Sequence, residues 1–238
     1  MSTRREVMLI ADIGGYTDYM QFHRSILGHA EAATTRMLDK VVDAARGFDL
    51  IDIEGDAAFL SRDAAGLNGP ETLSVVTDAV VALHGAFHAE RRLIELNMCP
   101  CGSCKRTSDL TLKFVAHVGE VATQTIRHRK SIVGLDVIHV HRLLKNPVEV
   151  PEYLLLSDEL YHTAHTPMPG PAHEVSQDLE GIGPVRAYFV DVADLRSLTD
   201  PLPDPSLLVR LRKTFAVAGS GLPYMLGLRH RRRTAPAF

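Results

Sequence analysis

The sequence of 238 residues contains no tryptophan and only three cysteines. The cysteines lie within the six positions from Cys99 to Cys104, too close together for the disulfide framework of a secreted domain. No apolar run approaches the roughly 20 residues that a membrane-spanning helix needs. The apolar run near the N-terminus is too short for a signal peptide. We therefore expect a cytoplasmic protein.

Negative charge is missing from the C-terminal end. Residues 206–238 contain seven lysines and arginines and no acid, so residues 1–205 carry a net charge of −10 while the whole chain carries −3. This contrast predicts one domain over residues 1–200, with a Cys-bearing loop insertion at 98–108. Residues 201–238 are predicted to form a proline linker, a short amphipathic helix and a basic tail. We expect the tail to pack on the acidic body or a second copy rather than on a membrane, and we expect no nucleic-acid binding.

The spacing of apolar residues predicts a mixture of strands and helices. We expect strands at 6–13, 50–53, 57–60, 110–118, 120–126, 153–157, 174–179 and 185–192, with 110–118 and 120–126 forming a hairpin. A long amphipathic helix is predicted from Pro70 to Asn97, where apolar residues recur every three or four positions. Several connections are hairpins, which predicts an α+β sandwich with a largely antiparallel sheet flanked by helices.

Two acids stand at the ends of predicted strands, close to glycine. Asp12 ends an apolar run and precedes Gly14 and Gly15, and Asp56 follows Gly55 in a hairpin turn. Two carboxylates that converge at strand ends form a hard oxygen site for Mg²⁺ or Mn²⁺, and two such ions can support phosphoryl transfer. The glycines and the helix start after them offer N–H groups to a phosphate. The structural alternative is that Asp12 caps a helix and Asp56 is a turn residue.

Four motifs carry a resemblance to a known family. They are Asp12-Ile13-Gly14-Gly15-Tyr16-Thr17, Gly55-Asp56-Ala57, Val115-Ala116-His117-Val118-Gly119-Glu120, and Gly134 with Val137, Arg142 and Leu143. They resemble, in this order, the D-I-x-G-F-T, G-D, G-I-H-x-G-E and G-x-x-V-N-x-A-x-R-L motifs of class III nucleotidyl cyclase catalytic domains. The Cys loop and the run His141–Asn146 are typical of a bacterial branch of this superfamily known as a domain of unknown function.

The resemblance implies a ferredoxin-like cyclase sandwich that forms a head-to-tail homodimer with shared sites. Asp12, Asp56 and the Ile13 carbonyl would bind two Mg²⁺ or Mn²⁺ ions, and backbone N–H groups of Gly14, Gly15, Tyr16 and Thr17 would hold phosphates. Arg142 of the other subunit would stabilise charge on the transferring phosphorus. His139 could serve as a donor in place of a missing asparagine, or else lie at an interface or on the surface. The 3′-hydroxyl of a nucleoside triphosphate would attack the α-phosphate, giving a cyclic nucleotide and pyrophosphate.

The sequence also departs from the family. Asp52 and Ser131 stand where a lysine and an aspartate read the base, Ile138 replaces the asparagine, and Glu180 stands where a phosphate-binding lysine is common. The retained residues favour an enzyme, and the departures favour a degenerate module that binds a nucleotide or other phosphate ligand. A purely structural role as a dimerisation domain is the third hypothesis.

The cysteine loop predicts a second metal. Cys99, Cys101 and Cys104 could supply three thiolates to a structural Zn²⁺, with His84 or His88 on the preceding helix as a further ligand. The alternative is three reduced thiols or a redox-sensitive cluster.

Overall fold

A computed structural model describes residues 3–22, 27–96, 106–127, 129–163, 168, 170–196 and 206–208. Its centre is an eight-stranded sheet with the order β2-β3-β1-β4-β6-β8-β7, in which β5 also pairs with β4. The strands are β1 Thr3–Gly14, β2 Asp49–Glu54, β3 Ala57–Asp63, β4 Thr111–Ile126, β5 Arg129–Val133, β6 Tyr153–Ser157, β7 His173–Leu179 and β8 Gly183–Asp191. The β4–β6 pair is parallel and the other described pairs are antiparallel, which confirms the predicted fold class.

Helices cover both faces of the sheet. They are α1 Tyr16–Phe22, α2 Leu27–Ala44, α3 Gly69–Glu95, α4 Leu135–Leu143, α5 Asp158–Thr163 and α6 Val192–Arg196. Successive side chains of β1 point to opposite faces, so Leu9 lies in the core beneath α2 and α3, whereas Ile10 packs on the face that carries α4. Asp12 is two residues after Ile10 on the same strand, so its side chain lies on the same face of the sheet as α4.

The helix α3 begins and ends close to its predicted limits. Asn68 and Glu71 form a capping box, and Pro70 stands in the first turn, where its missing N–H costs nothing. By length and composition alone α3 could cross a membrane. Its buried residues, which include Val80, Leu83 and Phe87, pack in the core beneath the sheet, and this identifies α3 as a core helix.

The predicted hairpin at Gly119 and Glu120 is wrong, because β4 is one strand of 16 residues. It pairs with β1 without interruption from Gly14↔Thr111 to Thr3↔Ala122. The chain reverses later, beyond Ile126, where Arg127 has a φ of 57°, and β5 is the hairpin mate. Gly119 marks a place where the Asp136 side chain comes close to the β4 backbone, and not a turn. A Cβ at Gly119 would overlap Asp136. The Asp136 carboxylate accepts a hydrogen bond of 2.6 Å from the Glu120 N–H.

Substitution of Gly119 tests this explanation. Gly119→Ala should lower the free energy of unfolding by about 2 kcal/mol, because Asp136 must move and the Glu120 N–H then loses its acceptor. Gly85→Ala is the matched control, since nothing lies within 4 Å of a Cβ there, in mid-α3. The control should be stabilised by about 0.5–1 kcal/mol through helix propensity. Urea unfolding measures both, and equal stability of the two variants would contradict the close-approach explanation.

The division at residue 200 is a prediction that the described residues do not test. Only residues 206–208 of the proposed tail are described, and the cysteines lie outside the described residues.

Candidate functional site

Asp12 and Asp56 come together at one edge of the sheet. Asp12 lies near the end of β1, opposite Ala57 of β3, and Asp56 occupies the turn just before β3. The Ile13 N–H donates a hydrogen bond of 3.2 Å to the Asp56 carbonyl, which fixes the turn against β1. Burial raises the pKa of the Asp56 carboxyl, and the negative charge of Asp12 raises it further. The two carboxylates therefore interact directly through their charges.

A lysine that the sequence analysis missed completes this edge. Lys113 stands opposite Asp12 in the β1–β4 register, and its Nζ lies 3.0 Å from Asp12 Oδ2. Burial opposes the charged ammonium, but the hydrogen bond and charge of Asp12 outweigh it and raise the pKa of Lys113. Lys113 could have been noticed as the single lysine or arginine in the apolar run from Leu110 to Val118. The site thus contains two carboxylates and one resident ammonium group.

The glycine turn after Asp12 passes close to the start of β4. A Cβ at Gly14 would overlap the Thr111 side chain, and Gly15 has a φ of 79°, which favours glycine. A helix start follows the glycines as predicted, since α1 begins at Tyr16 and the Tyr19 N–H donates to the Gly15 carbonyl. Burial and the charge of Asp56 raise the pKa of the Tyr16 hydroxyl, so Tyr16 lies within electrostatic reach of the carboxylates.

The two predicted catalytic residues of α4 contact other groups. Arg142 Nη1 lies 2.5 Å from Glu180 Oε2, and both side chains are exposed at the surface. His139 is buried, with its ring centroid 4.7 Å from that of His117. The contacts described for these residues do not reach Asp12 or Asp56, so their catalytic roles remain predictions. A surface position for His139 is wrong.

Three of the residues that depart from the family lie in ordinary strand and helix positions, and Glu180 lies in the turn between β7 and β8. Asp52 accepts a hydrogen bond of 2.7 Å from the Ile53 N–H on β2. Ser131 pairs with Gln124 in the β4–β5 hairpin, and the Ile138 side chain is 47% exposed on α4.

A second cluster joins α3 to the segment before β6. His84 Nε2 lies 2.9 Å from Glu152 Oε2, His88 Nε2 lies 2.7 Å from Glu152 Oε1, and the two Nε2 atoms are 3.0 Å apart. Burial would raise the pKa of the Glu152 carboxyl, but its hydrogen bonds to both histidines lower it well below the usual range. Burial lowers the pKa of His88. At neutral pH the cluster therefore contains a carboxylate and a neutral His88.

The sequence predicted only part of this cluster. His84 and His88 are one helical turn apart, a recognisable pair, but Glu152 is far away in sequence and carries no local signal. The cysteines predicted to join them lie outside the described residues, so zinc binding through Cys99, Cys101 and Cys104 stays a prediction.

Comparison with known proteins identifies the family and the fold. A family described as "Protein of unknown function (DUF2652)" matches residues 34–153. The uncharacterized protein Rv2561/Rv2562 of Mycobacterium tuberculosis is 35% identical over 195 residues, which cover 82% of this chain and 89% of that protein.

Two solved structures are similar at low sequence identity. The guanylyl cyclase Cya2 has a TM-score of 0.60 and 15% identity, over 79% of this chain and 92% of its own. The guanylate cyclase domain of RhGC from Catenaria anguillulae has a TM-score of 0.58 and 13% identity, over 80% of this chain and 98% of its own. The chain therefore belongs to the DUF2652 family and has the fold of class III adenylyl and guanylyl cyclase catalytic domains.

Proposed function

We propose that this protein is a divergent class III nucleotidyl cyclase, which converts a nucleoside triphosphate into a cyclic nucleotide and pyrophosphate. The observation that carries the proposal is the meeting of Asp12 and Asp56 at one sheet edge, beside the glycine turn. We infer that it acts in the cytoplasm.

The donor set at this edge fits a divalent cation. Carboxylate oxygens are the ligands that Mg²⁺ and Mn²⁺ prefer, and the mutual repulsion of Asp12 and Asp56 would be relieved by a positive charge between them. Lys113 supplies one positive charge, which leaves the two carboxylates with a net negative charge. We infer that Asp12, Asp56 and the Ile13 carbonyl hold the metal. When bound, it would stabilise negative charge on the α-phosphate and favour ionisation of the 3′-hydroxyl.

The other residues of the site bind and orient the substrate. The N–H groups from Gly14 to Thr17 would receive the terminal phosphates, since glycine lets this backbone come close to an anion. Arg142 would neutralise charge that develops on the reacting phosphate. A phosphate could replace Glu180 as its partner, because both residues of that ion pair are exposed. His139 would donate a hydrogen bond near the ribose.

An exposed stripe on α4 supports a homodimer. Leu135, Ile138 and Arg142 follow one another at helical spacing, and the first two side chains are 77% and 47% exposed. A second copy that covered Leu135 and Ile138 would also receive Arg142, which would then face the phosphates bound beside the carboxylates of that copy. We infer that each site is shared between two copies of the chain.

A second candidate function is metal-dependent nucleotide binding without turnover. Lys113 already neutralises part of the charge at Asp12, and Glu180 places an acid beside the one arginine that would stabilise the transition state. Both features weaken catalysis by simple electrostatics while leaving a phosphate-binding edge.

One assay separates the two candidates. Purified protein is incubated with Mn²⁺ and, in turn, ATP, GTP, CTP and UTP, and pyrophosphate release and nucleotide binding are both measured. The cyclase predicts pyrophosphate together with a cyclic nucleotide from at least one substrate. Binding that requires Mn²⁺ without any product would leave the second candidate, and neither binding nor product would reject both.

Replacing Lys113 tests whether this lysine competes with the metal. Lys113→Met should tighten Mn²⁺ binding about tenfold, because it removes a cation 3.0 Å from one predicted ligand. Titration followed by the electron paramagnetic resonance of free Mn²⁺ measures the change. Lys40→Met is the control, since Lys40 pairs with Asp43 on an exposed part of α2 and should leave the affinity unchanged. Weaker Mn²⁺ binding in Lys113→Met would show that the lysine supports the site.

A further inference from the structure

The cluster of His84, His88 and Glu152 has more contacts than its protons can satisfy. Each neutral imidazole Nε2 carries either a proton or a lone pair. The two contacts to Glu152 require a proton on both Nε2 atoms, because a carboxylate only accepts hydrogen bonds. The 3.0 Å contact between the two Nε2 atoms requires a proton on one of them alone. No arrangement of protons satisfies all three contacts, whereas a cation at their centre satisfies them together.

The fold holds these three groups in place independently of any ion. His84 is 1% exposed and packs near Phe114 in the core. His88 lies one turn further along the same face of α3, so both rings are fixed by one helix. The carboxylate is oriented by the backbone, since Leu112 N–H donates a hydrogen bond of 3.0 Å to Glu152 Oε1. The site is therefore largely preformed.

The chemistry of the ligands points to zinc. Two imidazoles at positions i and i+4 of a helix and one carboxylate form a common Zn²⁺ ligand set, and the fourth position is left to water or another ligand. Tetrahedral ligands at normal Zn–N and Zn–O distances are about 3.3 Å apart. The two Nε2 atoms here are 3.0 Å apart, and each lies 2.7–2.9 Å from a different oxygen of Glu152, with one ligand atom from each residue lying within 4.8 Å of the other two. The two imidazole nitrogens therefore need to move apart by only a few tenths of an ångström, and Glu152 can offer either oxygen.

We propose that His84, His88 and Glu152 form a Zn²⁺ site that ties α3 to the start of β6 and needs no cysteine. The site is separate from Asp12 and Asp56, and the proposal does not depend on cyclase activity. A zinc ion here would join α3, the longest of the described helices, to the segment that enters the middle of the sheet. Its binding should therefore raise the melting temperature of the protein.

Zinc titration of the full-length chain tests the proposal. A variant with Cys99, Cys101 and Cys104 all changed to serine is freed of metal with a chelator and titrated with Zn²⁺ against a chromophoric competitor. We expect one Zn²⁺ per chain. In the same background, His88→Ala and Glu152→Gln should each weaken binding at least about 100-fold, since each removes a direct ligand. His162→Ala, on the surface of α5, should bind zinc unchanged.

Cobalt provides a second readout that does not depend on the stability of the variants. Co²⁺ bound to the wild-type chain at this site should give the visible absorption of a tetrahedral complex without the near-ultraviolet band of thiolate ligands. If the triple-serine variant, which keeps His84, His88 and Glu152, bound no zinc while the wild-type chain did, the proposal would be overturned, because the cysteines would then be the ligands. Unchanged zinc affinity after both His88→Ala and Glu152→Gln would overturn it as well.

Discussion

Asp12→Asn and Asp56→Asn should each reduce Mn²⁺-dependent pyrophosphate release at least about 100-fold, the loss typical of removing one group that stabilises transition-state charge. Asparagine keeps the shape of each side chain but removes the negative charge that holds the metal. The loss should appear in turnover and in Mn²⁺ affinity together, because one group of ligands serves both. Initial rates at saturating nucleotide and varied Mn²⁺ separate these two effects.

The stability of these variants distinguishes a functional site from a structural one. Burial raises the pKa of Asp56, and repulsion from the charge of Asp12 raises it further, so Asp56→Asn should unfold at the same or a higher melting temperature. Asp49→Asn, at the exposed start of β2, is the matched control and should keep full activity. Full activity in Asp56→Asn, or equal losses in all three variants, would contradict the proposed role of the carboxylates.

Arg142→Ala should also reduce turnover about 100-fold. The site that is affected should be the one formed by the carboxylates of the other subunit. If each site combines Asp56 of one copy with Arg142 of the second, Asp56→Asn and Arg142→Ala are both inactive alone. Mixed in equal amounts and allowed to exchange subunits, half of the dimers carry one intact site of two, so about a quarter of wild-type activity should return. The measurement is pyrophosphate release before and after mixing.

The control for this complementation uses two substitutions in the same half of the site. Asp12→Asn mixed with Asp56→Asn should recover nothing, because every site then lacks one carboxylate. Activity that fails to return when Asp56→Asn is mixed with Arg142→Ala, although subunits exchange, would mean that Arg142 serves its own chain or no site. The exposed Leu135 and Ile138 beside Arg142 predict that Leu135→Glu weakens the dimer and lowers activity with it.

Much of the fold could be predicted because local signals agreed with the final arrangement. The strand before Asp12, the capped helix from Gly69 and the last hairpin around Gly181 each carry their own apolar period and turn residues. The error at Gly119 had a physical cause that no local pattern reveals. That glycine makes room for Asp136, a residue 17 positions away, and only the packing of α4 on β4 brings the two together.

The candidate site was predictable only as far as its motifs extend. Asp12 and Asp56 were found because each stands beside glycine at a strand end, and the structure brings them together. Lys113 was missed because its role depends on the β1–β4 register, which the sequence does not specify. Glu152 was missed for a similar reason, since it meets His84 and His88 across a gap of more than 60 residues.

The location of bound Mn²⁺ tests the central proposal most directly. Crystals grown with Mn²⁺ and a non-hydrolysable nucleoside triphosphate can be measured at the manganese absorption edge, where anomalous scattering identifies the ion. We predict anomalous density within ligand distance of both Asp12 and Asp56, with Arg142 of a second copy facing the phosphates. Density for the nucleotide elsewhere, or an Asp12–Asp56 edge that binds no Mn²⁺ at saturating concentration, would contradict the account.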